Sequence, residues 1–204
     1  MPSNKIYYFD CKALGEGARL LLAYGQEGFE DIRVTEKEWP SLKPTMPFQT
    51  MPVLEVDGVK YSQSLAIVRY LGRKYGLSGK TLEEDLLIDQ NMYFFNDIRL
   101  AAYGVSLLPD EDLKAKQKKD LHENYLPKAL KKLNEIFNEN NGHLGIGRLT
   151  WADFMFAGTY DRVKFLLEIP DIDEQYPAFK KLQDKVLSIP QVKAYHEKAP
   201  KSIW

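Results

Sequence analysis

The sequence is poor in residues that build covalent or metal-linked scaffolds. It has one cysteine, Cys11, in 204 residues. No intrachain disulfide can form, and no thiolate cluster can hold zinc. A dithiol redox cycle is excluded for the same reason. The three histidines, His122, His143 and His196, are scattered and suggest neither a catalytic triad nor a metal site. Excess charge of one sign is also lacking. The formal net charge is −1 and the isoelectric point is near 6.3, whereas a nucleic-acid partner calls for a strong basic excess. The lysines between positions 114 and 119 read instead as a solvated helix face. No apolar run approaches the roughly 20 residues of a membrane span. The opening MPSNKIYYFD has no apolar core of the kind found in secretion signals. These absences lead us to expect a cytoplasmic protein with no metal and no nucleic-acid or membrane partner.

What is present is an ordinary globular composition, 44% hydrophobic and 28% charged. A chain of this length can bury roughly 70% of its unfolded surface without a covalent staple. The texture changes near position 78. Before it, strand-like and helix-like runs alternate. Residues 5–9 (KIYYF) predict a strand. Leu14, Ala18, Leu21 and Leu22 share one face of a helix, which Gly25 can stop. Residues 29–34 (FEDIRV) predict a second strand, making a β-α-β unit. A loop with Pro40, Pro44, Pro47 and Pro52 follows. Residues 53–56 and 59–62 flank Asp57-Gly58, a strong hairpin signal, and residues 64–75 predict a helix. This β-α-β, β-β-α order in fewer than 80 residues points to a thioredoxin-like fold. Residues 77–80 (LSGK) read as a linker. Beyond them, residues 83–108, 113–138 and 151–169 carry helical periodicity, and shorter helices are expected near Pro177 and Pro190. Thr150 and Asp153 fit a helix cap. The expected architecture is an α/β domain over 1–78 and an all-helical domain over 82–204.

Particular segments sharpen this reading. They are YYF at 7–9, EWPSLKP at 38–44, MPF at 46–48, MPVLEVDG at 51–58, SQSLAIVRYLGRKYGLSG at 62–79 and LTWADF at 149–154. Together they resemble the cytosolic glutathione transferases, and among them the sigma class, over essentially the whole chain. The resemblance implies a homodimeric enzyme that conjugates glutathione, as co-substrate, to hydrophobic electrophiles in detoxification. It also admits a glutathione-dependent prostaglandin isomerase or lipid peroxidase. A third reading is a crystallin-like structural or ligand-binding protein.

The resemblance assigns roles residue by residue. Tyr8 would donate its hydroxyl to the glutathione sulfur and hold it as a thiolate. Its neighbour Tyr7 would face the other side of the sheet. A cis bond at Met51-Pro52 would present backbone groups to the cysteinyl unit. Gln63 and Ser64, at a strand-to-helix junction, would hold the γ-glutamyl carboxylate, a natural use of a helix start. Ser64 could equally be an ordinary helix cap. Trp39, Lys43 and Thr50 would bind the glycine end. Asp97 would reach the γ-glutamyl amine of the partner's site. Phe9, Leu14, Arg99, Tyr103 and Leu107 are second-substrate candidates by position. Three features depart from the pattern. Leu14 stands where prostaglandin D isomerases of the class carry an arginine. Tyr93 and Asn96 replace acidic residues that bind a cation in those relatives. Gln49-Thr50 replaces the usual glycine followed by lysine or glutamine.

Overall fold

The computed structural model describes residues 4–200; the extreme ends of the two expected domains, 1–3 and 201–204, lie outside the described residues. In β1 (Asn4–Phe9) burial alternates strictly, with Ile6 and Tyr8 inside and Lys5 and Tyr7 partly exposed. That is the period-two signature of a strand with one covered face. Helix α1 (Ala13–Gly25) crosses back to β2 (Glu30–Val34), which pairs parallel with β1. The helix does reach Gly25, but the left-handed cap residue is Gln26, with φ 55°. The segment expected to be a proline-rich loop contains a helical turn, α2 (Trp39–Leu42), and a 3-10 turn over Lys43–Thr45. Pro40 and Pro44 sit in the first turns of these two pieces, where a missing N–H costs nothing. β3 (Val53–Val56) and β4 (Val59–Ser62) form the hairpin, with Asp57 and Gly58 both at positive φ. The sheet order is β2-β1-β3-β4. Helix α3 (Ser64–Lys74) closes this part of the chain.

The rest is helical. α4 (Leu82–Ser106) begins where the Thr81 hydroxyl accepts from the Glu84 N–H at 3.2 Å. The next periodic run, expected as one helix, is divided into α5 (Glu111–Asp120), a π-helical turn over Leu121–Tyr125, and α6 (Leu126–Glu139). Pro127 explains the widened turn. It has no N–H to donate one turn back, and its ring crowds the carbonyl there. α7 (Trp151–Leu167) is buried on nearly every side and starts at a complete capping box between Thr150 and Asp153. Asp153 also accepts from the Leu144 N–H and faces His143. His143 in turn accepts from the Lys185 ammonium at 2.8 Å, which assigns its other ring nitrogen as the N–H donor to Asp153. This histidine is structural. α8 (Ile172–Gln175), a short helix not foreseen, precedes α9 (Pro177–Leu187) and α10 (Pro190–Lys198).

The α/β and helical parts meet where α1 crosses α7. Both helices present glycine at the crossing. A Cβ on Gly158 would lie 2.7 Å from the backbone nitrogen of Gly17, and one on Gly17 would lie 2.9 Å from the Met155 Cα. At Gly158 backbone, not a flexible side chain, blocks the extra carbon, so relief requires moving a helix. Gly158→Ala is therefore expected to cost about 1–3 kcal/mol. Gly104→Ala, in α4 with open space around it, is expected to gain about 0.4–1 kcal/mol. Urea midpoints of the two variants should move in opposite directions.

Candidate active site

Three chain segments end at the same edge of the sheet. The last paired residues there are Tyr7 with Val53 and Val53 with Ser62. One step further along those antiparallel registers lie Tyr8, Pro52 and Gln63, side by side. The pairing of the hairpin on β1 thus assembles residues that are far apart in sequence. The Met51-Pro52 bond is cis. Gln63 has φ 77°, a region that favours glycine, and stands at the cap position of α3. No cap side-chain hydrogen bond forms there, and Ser64 is the first helical residue, not the cap. The first α3 backbone bond runs from the Ile67 N–H to the Gln63 carbonyl. The N–H groups before it have no partner within the helix and point out of its positive end.

Tyr8 is only 8% exposed. Burial pushes its hydroxyl up to about 12, with the nearby Cys11 thiol adding to the effect and a backbone hydrogen bond from Leu14, then Arg19 and Arg99, opposing it. It therefore remains a proton donor across the physiological range. Its ring fits because position 15 is glycine: a Cβ there would fall 2.5 Å from the ring. Trp39, Phe9 and Tyr8 form a chain of edge-on rings, with centroids 5.6 and 5.9 Å apart. Tyr7 points elsewhere, as expected, and donates to Glu55 at 2.9 Å.

Arg19, whose side chain is fully buried, fixes the loop that follows Tyr8. It donates to the Cys11 carbonyl at 2.6 Å and the Phe9 carbonyl at 3.3 Å. Asp31 bridges Arg19 and Arg33, accepting at 2.8 and 2.9 Å, and Glu16 lies 3.4 Å from Arg19. Burial raises the Glu16 carboxyl, while Arg19 opposes that shift. Arg33 continues the network to Asp10 and to Tyr195 of α10.

Beside Tyr8 is a cavity of about 310 Å³ between the α/β part and the helices. Phe9, Leu14, Arg99 and Tyr103 line it. Leu107 does not; it stands at the end of α4 and is 62% exposed. Thr159, Arg162 and Leu166 of α7 line it instead, together with Cys11 and Ala13. These α7 residues were not singled out from sequence. Their spacing puts them on one helix face, but the direction of that face depends on the α1–α7 crossing. The Cys11 thiol is half-buried, and burial raises its pKa.

The other expected site residues lie around this edge. Trp39 is half-buried, Met51 partly so, and Lys43 and Thr50 are exposed. Asp97 is exposed on α4; among the described residues it makes no hydrogen bond or ion pair, although its charge reaches Tyr125. Among the described residues no group of three or more His, Cys, Asp or Glu side chains could hold a metal, and no helix is long and apolar enough to cross a membrane.

A model of the glutathione S-transferase N-terminal domain matches residues 4–73, and one of the C-terminal domain matches residues 96–199. The chain belongs to the glutathione S-transferase family. It is 51% identical to glutathione S-transferase 2 of Manduca sexta over 98% of both chains. Its fold is similar to the structure of prostaglandin synthase D of Nilaparvata lugens, with a TM-score of 0.90, 38% identity, and 98% and 100% of the two chains covered. It is also similar to a monomeric glutathione S-transferase of the hookworm Necator americanus, with a TM-score of 0.81, 31% identity, and 98% and 99% covered.

In this glutathione S-transferase, replacing Arg19 by leucine removes the cation from a buried network and leaves Glu16 and two backbone carbonyls without it. Asp31 keeps Arg33. The expected loss is about 3 kcal/mol, the lower end for breaking a buried ion pair, read as a drop in the denaturation midpoint.

Proposed function

We propose that the chain conjugates the thiol of glutathione to electrophilic small molecules and that Tyr8 holds the sulfur as its thiolate. The observation that carries this reading is the buried Tyr8 in the lining of a cavity, in register with Pro52 and Gln63. A free cysteine thiol titrates near roughly 8.5 and is mostly protonated at neutral pH, while only the thiolate is a good nucleophile. A hydrogen bond to an anion contributes about 1.5–3 kcal/mol. Tyr8 keeps its own proton and can donate it to such a bond. Arg19, with its guanidinium carbon 5.7 Å from the Tyr8 ring centre, and Arg99 add positive potential. They compensate in part for Leu14, which carries no charge.

In this proposal the backbone beside Met51-Pro52 pairs with the cysteinyl unit as an added strand would. The start of α3, with Gln63 and Ser64, takes the γ-glutamyl carboxylate. Lys43, Thr50 and the Trp39 indole N–H serve the glycine end. Phe9, Leu14, Arg99 and Tyr103 face the electrophile. Conjugation needs no metal, and the cytoplasmic setting expected from sequence belongs to the same proposal. The likeness to the Nilaparvata lugens prostaglandin synthase supports a second reading, an isomerase that uses the same thiolate step.

Tyr8→Phe is expected to leave glutathione binding nearly intact and to lower kcat about 10- to 100-fold at neutral pH, the equivalent of one charge-assisted hydrogen bond. The thiolate absorbance of bound glutathione should then titrate closer to roughly 8.5. An unchanged titration would remove Tyr8 from the mechanism.

A homodimer is part of the proposal. Leu82, Leu86, Tyr93 and Leu100 are 82, 66, 46 and 47% exposed. At about 100° per residue they share one stripe of α4 with Asp97. Exposed apolar stripes of this kind mark protein interfaces. A partner covering it would bring Asp97 against the second subunit. The double variant Leu82→Glu, Leu86→Glu is expected to sediment as a monomer and to bind glutathione more weakly. A wild-type protein that sediments as a monomer would refute the dimer.

A further inference from the structure

The second-substrate cavity is lopsided in charge. The polar residues of its lining are Arg99 and Arg162, with Tyr8, Tyr103, Thr159 and Cys11. No carboxylate lines it among the described residues. Elsewhere the chain pairs its arginines with acids: Arg19 and Arg33 share Asp31, Arg69 meets Asp89, Arg73 meets Asp85 and Arg148 meets Glu84. Arg99 is different. Its hydrogen bonds run from Nε and Nη2 to the neutral side-chain oxygen of Asn96, both at 3.0 Å. Burial depresses its pKa, and the groups that oppose the shift are the phenols of Tyr8 and Tyr103, not a carboxylate. A guanidinium remains charged even so, and a desolvated charge is stabilised by an opposite one. The rest of the lining, Phe9, Ala13, Leu14 and Leu166, is apolar.

We propose that Arg99 is a specificity-determining residue that receives a carboxylate on the second substrate, so that the preferred electrophiles are amphipathic anions with an apolar body against Leu14 and Leu166. This inference rests on the reading of the cavity as the second-substrate site. The carboxylate stays intact throughout. The thiolate sulfur forms a bond to the electrophilic carbon, the electron pair of the electrophile's π bond moves to the adjacent carbon, and that carbon takes a proton from water. Arg99 selects and orients; Tyr8 holds the sulfur. The cavity volume is at the lower limit for small-molecule sites, so a compact electrophile suits it.

The test compares 4-acryloylphenoxyacetic acid with its methyl ester. Their reacting enones are the same and their charge differs at the far end. For the wild-type enzyme, kcat/KM is expected to favour the acid about tenfold, the order of one charge-assisted hydrogen bond. In Arg99→Gln that ratio should fall to near one, and in Arg99→Lys it should stay between the two. Because the ratio is taken within one variant, a general loss of activity cancels. A wild-type ratio near one overturns the inference without any variant. A ratio that survives in Arg99→Gln and disappears in Arg162→Gln overturns the assignment to Arg99. Calorimetry with the saturated 4-propanoylphenoxyacetic acid and its ester reads the same selectivity without chemistry. If that acid binds in an Arg99-dependent way while neither enone is conjugated, the inference stands and the transferase reading fails. If both enones are conjugated with equal efficiency, the transferase reading stands and the inference fails.

Discussion

The close crossing of α1 and α7 is the constraint on which the rest of the molecule depends. Two glycines, Gly17 and Gly158, let the helix backbones meet where a single added carbon would clash. Beside this junction α1 contributes Ala13 and Leu14 to the cavity, and α7 contributes Thr159, Arg162 and Leu166. The cavity beside Tyr8 is the space those two helices leave between them, closed on a third side by Arg99 and Tyr103 of α4. Its shape is therefore set by backbone packing, which is stiff, more than by loops.

Electrostatics divides along the same line. Inside α1 and the strands beneath it, Arg19 and Arg33 are paired with Asp31, Glu16 and Asp10, and they hold the chain just after Tyr8. In the cavity the positive charge of Arg99 lacks an acid and faces phenols. One arginine network stabilises the fold, while the positive charge in the cavity is directed at what enters. Burial keeps Tyr8 protonated between the two, and a phenol that keeps its proton can donate to an anion.

Much of the fold was legible because its signals are local. Asp57-Gly58 specifies a hairpin turn, Thr150 and Asp153 specify a helix start, and alternation in β1 separates Tyr7 from Tyr8. The resemblance of the motif segments to glutathione transferases supplied the fold as a whole. What stayed hidden depends on how helices are aimed. Leu107 follows Tyr103 by four residues, the spacing of one helix face, but α4 ends at Ser106, and Leu107 lies past the helix end and outside the cavity. The α7 face was missed because no local feature says which side of a nearly all-buried helix meets a ligand. Arg19 gave no signal either, since a lone arginine on an apolar helix face reads as a surface charge until its buried acids are known. The π-helical turn before Pro127 broke a periodicity that otherwise looked continuous.

The register of the sheet edge has one more consequence. Tyr8, Pro52 and Gln63 come from strand ends whose positions are fixed by backbone ladders, whereas the cavity beyond them is finished by side chains of α4 and α7. Backbone ladders tolerate few changes, because a one-residue slip turns every side chain over. Helix side chains that line a space can be exchanged one at a time. The molecule is thus divided into a conservative half and a permissive half, and substitutions on α4 and α7 can diversify the permissive half while the strand ends stay as they are.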